Sequence, residues 1–399
     1  MLMPRFNGKM FTLFCLVLFI LLPKIGVFDL TVLPLSILFL SCFFMGRIKL
    51  DVSLIVLFLL LTLVITVLIS ALLNGNISNE HLLKPIRLAV VVLILSHFFQ
   101  NTAQKIDVVD IFYVIFIAAL INAVVVYAQY AAHLLFGISD FLSINFDSER
   151  STPYRKSGLA SGFPTAGLLN VLGVLSLFYL VQNKSIKYAV FLIVLLPVFF
   201  ITARTSLILG GLSIIVLSFY NRKIFSLVLV MVGFTFIFIM YMLSTGNAEH
   251  LMKSFSFAIE LFSNFTSGSG FQTQSTNSLL TKHFTIPEDF FTLLIGTSLS
   301  TWSFGAGQSD VFFIRVLWGT GVFSLILYII LYCHMWYKCV NSTQVKFDQT
   351  VLFLMFFVVF IASFKGAYIY SRFVSDCLLI IFCYICSNHN VFIGRKRYG

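Results

Sequence analysis

Arg204 stands in Ile201-Thr-Ala-Arg-Thr-Ser206, between two apolar runs of about 17 residues each. Runs that short leave no spare length to lift their turn far into solvent, so the guanidinium is expected to face a polar cavity. Planar guanidinium groups grip phosphates through paired, charge-assisted hydrogen bonds, which suits a multiply anionic ligand at a membrane surface. Other cations fall at the ends of apolar runs: Lys84, Arg87, Arg155, Lys156, Arg315, Lys365 and Arg372. Arg315 lies roughly 140° around a helix from Asp310, so those two do not simply pair along it. Chemistry at such a site also needs a group to take a proton, and Asp310 and His283 are the candidates. Ser309 and Asp310 read equally as a cap complementing a helix dipole.

No metal or cofactor is expected. Asp147 and Glu149 sit in a polar loop that they serve to solvate, and Cys383 and Cys386 lie in an apolar helix without a second pair. The seven cysteines read mostly as small buried hydrophobes.

The elements that must position these groups are membrane helices. Of 399 residues, 59% are hydrophobic and only 10% charged, which excludes a soluble domain, a disordered chain and a disulfide scaffold. The net charge of +11 could suggest nucleic acid, but its cations are scattered singly, which fits anionic headgroups or a phosphorylated substrate instead. Reading for roughly 17 to 25 apolar residues per helix gives an all-α polytopic bundle of about twelve spans. They fall near 10–27, 29–46, 53–73, 83–100, 109–136, 157–181, 186–202, 205–220, 224–243, 311–336, 349–364 and 370–387. The first span reads as a retained anchor. A cytoplasmic N-terminus puts 14 of the 26 basic residues on the cytoplasmic side, in every segment there, and returns the C-terminus to the same side. The candidate cations then all lie on the outer face.

The whole chain, 1–399, reads as one integral-membrane domain without an internal repeat. Its two longest loops, 137–156 and 244–309, are both assigned outside, the larger one between spans 9 and 10. In the larger loop, apolar residues from Leu251 to Phe265 recur at helical spacing, and 266–280 reads as a flexible flap. A capping box from Thr285 to Glu288 then starts a short helix that stops at Gly296. Two helices about a flap suit a substrate lid.

With these features the chain resembles the bacterial O-antigen polymerases and, more loosely, the related O-antigen ligases. The resemblance rests on four things: a dozen spans with a large late outer loop; Arg155-Lys-Ser-Gly-Leu-Ala-Ser-Gly-Phe-Pro164; Thr202-Ala-Arg-Thr-Ser206; and Gly305-Ala-Gly-Gln-Ser-Asp310 leading into a glycine-bounded helix. Ser309-Asp310 stands where ligases tend to carry His-Asn, which favours the polymerase branch, and His283 keeps a ligase-like histidine in view. The resemblance implies a metal-independent glycosyltransferase of the bacterial inner membrane, active on its periplasmic face. It would move a growing glycan from undecaprenyl pyrophosphate to the non-reducing end of a new lipid-linked repeat unit. On that reading Arg204 leads the catalytic candidates with Asp310 and His283. Arg155, Lys156, Arg315, Lys365, Arg372, Lys84 and Arg87 bind substrate. Membrane lipids and a chain-length regulator are the further partners. A flippase for lipid-linked oligosaccharides has similar size and basic residues, but it calls for short loops and matched halves.

Overall fold

The computed structural model describes residues 8–25, 28–44, 54–75, 79–102, 106–138, 141–142, 155–220, 225–230, 233, 281, 283–299 and 309–387. Its helices are α1 (Gly8–Leu21), α2 (Val32–Phe44), α3 (Leu54–Asn74), α4 (Asn79–Thr102), α5 (Val108–Phe136) and α6 (Phe163–Asn183). A 3-10 turn (Ile186–Phe191) leads into α7 (Leu192–Ile201) and α8 (Arg204–Tyr220). After them come α9 (Phe290–Ile295), α10 (Phe312–Val340), α11 (Lys346–Ala362) and α12 (Val374–Ser387). Every expected span except 224–243 contains one of these helices; most of that span, the helix expected from Leu251 to Phe265 and the flap lie outside the described residues. Among the described residues, five segments are long and apolar enough to cross a membrane: Leu54–Asn74, His81–Asn101, Val108–His133, Phe163–Asn183 and Phe312–Val340.

The first helix is shorter than expected. It ends at Leu21, just before Pro23, and the chain continues into a two-residue antiparallel ladder in which Lys24 faces Asp29.

The chain packs as two compact units. Unit 1 comprises Met1–Ile37, Gln104–Ser267 and Val345–Val358, and unit 2 comprises Leu38–Ala103, Gly268–Gln344 and Val359–Gly399. In unit 1, α6 is the central element: every residue from Thr165 to Leu180 is buried, and α5, α7 and α8 pack around it. A helix apolar all round is suited to such a place. Lys9 reaches the Asp110 carboxylate at 2.7 Å, and that carboxylate also accepts the Asp107 amide at 2.7 Å, which closes the start of α5.

Unit 2 is built on α4 against α12 and α3 against α10. α10 is broken at Gly321, whose φ of 81° and ψ of 177° leave the helical region. The carbonyls of Trp318 and Gly319, which an unbroken helix would bond to residues 322 and 323, instead accept the Thr297 and Ser298 amides at 2.8 and 2.9 Å. A Cβ on Gly321 would strike the Leu294 carbonyl, so glycine is what lets α9 lie in the break. The α9 hairpin is further tied by Trp318 Nε1 donating to the Thr285 carbonyl at 2.7 Å and Ser70 to Ser298 at 2.7 Å. The expected short helix and its Gly296 stop are present, with a different cap: Asp289, not Thr285, accepts the Thr292 amide at 2.8 Å.

Candidate functional site

The basic candidates fall into two groups, one in each unit. In unit 1, the segment that opens α6 carries Arg155 and Lys156, and the turn between α7 and α8 carries Arg204 as the first residue of α8. Lys156 donates its amide to the Ile201 carbonyl at 3.3 Å, which sets the segment beside that turn, and Lys156 is buried at 3% exposure.

Two polar residues of α5 hold the same segment. Gln129 acts as a substitute peptide for Gly158: Oε1 accepts the glycine amide at 2.9 Å, and Nε2 donates to its carbonyl at 3.0 Å. Asn122 Oδ1 accepts the Leu159 amide at 2.8 Å. Gly158 has a φ of +61°, and a Cβ there would run into Asn122, so both conformation and space require glycine. On the far side, a Cβ on Gly167 would meet Ser206, so the start of α8 lies hard against α6. The two motifs meet through the Lys156 amide and the Gly167–Ser206 approach, and Gln129 and Asn122, which sequence reading missed, hold the first of them to α5. A glutamine and an asparagine seven residues apart in an apolar helix share a face, and that was the signal available.

In unit 2, α4, α10 and α12 carry their candidates at their N-terminal ends, and Lys365 follows the C-terminal end of α11. These ends coincide. Phe312 at the start of α10 donates its amide to the Ser363 carbonyl at 3.1 Å, and Arg87 near the start of α4 meets Asp376 near the start of α12. Arg315 is buried at 8% exposure, one turn after Phe312. The Lys84 ammonium lies over the Tyr370 ring, 3.9 Å from its centroid, and the Arg372 guanidinium lies 5.7 Å from the Phe373 ring centroid.

The two candidate bases are brought together. Ser309 Oγ donates to the His283 carbonyl at 2.8 Å, and the Asp310 amide approaches His283 Nδ1 at 3.4 Å. An N–H pointed at Nδ1 makes that nitrogen the acceptor and leaves Nε2 to carry the proton. Asp310 itself is exposed. Tyr368 follows Lys365 in the adjacent turn, where burial and, after it, the Asp310 charge push its hydroxyl pKa above the ordinary range.

Arg87 has a partner that the sequence does not show. Its two terminal nitrogens each donate to one Asp376 oxygen at 2.9 Å, with the Asp376 side chain at 0% exposure. Asp376 Oδ2 also accepts the Phe373 amide at 3.3 Å, where Phe373 holds a left-handed φ of 68°. This pair joins α4 to α12, and it accounts for the Arg87 charge within the fold. Asp376, a lone acid in an apolar run, is the signal that reading passed over.

No protein-family model, curated protein or solved structure matches the chain.

Proposed function

We propose that the chain is a polymerase of lipid-linked surface polysaccharide, an inner-membrane glycosyltransferase with about twelve spans, both termini cytoplasmic and the active face periplasmic. One observation carries this reading: an exposed carboxylate, Asp310, shares one end of unit 2 with buried Arg315 and half-buried Lys84, Lys365 and Arg372. A carboxylate base beside cations is what glycosyl transfer from a diphosphate requires.

Asp310 takes the proton of the acceptor hydroxyl, and the freed oxygen bonds to the anomeric carbon of the donor glycan. The bond from that carbon to the pyrophosphate breaks, its electron pair leaves with the phosphate oxygen, and the neighbouring cations hold the charge. Asp310 must act where the donor's leaving group departs, which assigns the unit 2 cations to the donor diphosphate. Arg204, with Arg155 and Lys156, is proposed as a second phosphate-binding group within unit 1. A ligase is the second reading, favoured by the His283 ring at the Asp310 amide.

Deletion of the gene tests the proposal. A surface glycan reduced to single repeat units on the lipid core is expected. Complete loss of attached glycan with lipid-linked polymer accumulating means a ligase, and repeat units trapped on the cytoplasmic face mean a flippase.

A further inference from the structure

Tyr370, in the turn that opens α12, is 5% exposed, and its hydroxyl is fully buried with no hydrogen-bond partner among the described residues. Its ring is gripped: Phe312 lies edge-on at 5.1 Å, Tyr328 at 5.9 Å, and the Lys84 ammonium stands on its face. Those contacts keep the hydroxyl from swinging out to solvent. Phenylalanine would make every one of them and leave no unsatisfied donor, so the hydroxyl burdens the fold.

The surroundings say what would satisfy it. Lys84 touches the ring, Arg372 follows two residues on, and Arg315 lies a turn beyond Phe312. A donor among cations suits an anionic acceptor. A basic group at one end of an apolar helix bundle matches an amphiphile with a phosphate-bearing headgroup.

We infer that the Tyr370 hydroxyl donates a hydrogen bond to a bound phosphate-bearing headgroup. The inference deepens the proposed function, on which the identification of that headgroup as a donor diphosphate rests. An ordinary anionic phospholipid carries the same phosphate chemistry.

The test compares the full-length chain with Tyr370→Phe in detergent, using inorganic pyrophosphate and phosphatidylglycerol as probes. Pyrophosphate binding about 10-fold weaker in the variant, with an unfolding temperature equal to or above that of the parent, is the expected result. Equal affinity overturns the inference, and so does a lowered unfolding temperature without ligand, since the hydroxyl would then have a partner inside the fold. If only phosphatidylglycerol binds, and Tyr370→Phe weakens it, the phosphate site stands while the diphosphate reading loses its support. A parent chain that binds neither probe overturns the inference, and the glycan of the deletion strain then judges the function separately.

Discussion

Removing Arg87 should injure the fold more than the chemistry. Its two 2.9 Å contacts to Asp376 satisfy a carboxylate with 0% side-chain exposure, whereas the Arg87 side chain keeps 21%. In Arg87→Met the carboxylate stays buried with the Phe373 amide as its remaining described donor. Stranding a buried charge in this way costs about 3–5 kcal/mol, and partial exposure of Arg87 places the expectation near the lower figure. Replacing both partners removes the stranded charge. Arg87→Met with Asp376→Leu is therefore expected within about 1 kcal/mol of the parent, a coupling of about 2–3 kcal/mol. Unfolding in mixed micelles titrated with sodium dodecyl sulfate measures all corners of the cycle. A single Arg87→Met variant that loses less than about 1 kcal/mol would refute the reasoning. The surface glycan of the double variant reports on chemistry: normal polymer length fits a structural Arg87, and short polymer means that its charge also meets substrate.

Gln129→Leu should lose the two hydrogen bonds to Gly158, about 2 kcal/mol together, and shorten the polymer by freeing the Arg155–Lys156 segment; limited proteolysis and a glycan ladder read the two effects. Gly321→Ala would force a Cβ onto the Leu294 carbonyl at a positive φ and should cost about 3 kcal/mol; Gly211→Ala, with open space around it in α8, should be neutral or stabilising in the same unfolding assay. The Asp289 carboxyl is held below its ordinary value of 3.8 by the Thr292 amide and hydroxyl. A depressed folded pKa means that its contribution is present above that ordinary value and is lost as pH falls through the folded one. Protection of the Thr292 amide, taken relative to the intrinsic exchange rate at each pH, should therefore fall in acid below pH 3.8, and Asp289→Asn should abolish the change.

Helix positions were legible because apolar run length and glycine or proline stops are local: α4, α5 and α8 each lie within a few residues of the spans expected for them. Gly296 as the stop of α9 was equally readable. The break in α10 was not, since the apolar run continues through Gly321 and only the arrival of residues 294–298 there requires it. The partner of Arg87 was hidden for the same reason: Asp376 lies 289 residues further on, beyond any local pattern. His283 and Asp310 were named separately, 27 residues apart, and their meeting depends on how the α9 hairpin folds onto α10. Tyr370 gave no signal at all in sequence, because its environment is assembled from α4, α10 and the turn before α12.

Purified protein in lipid nanodiscs, supplied only with undecaprenyl-diphosphate-linked repeat units, should lengthen the glycan and free one undecaprenyl diphosphate per repeat added. Both products should vanish in Asp310→Asn. Parent protein that neither extends the glycan nor liberates the lipid diphosphate, while folded and inserted, would contradict the account.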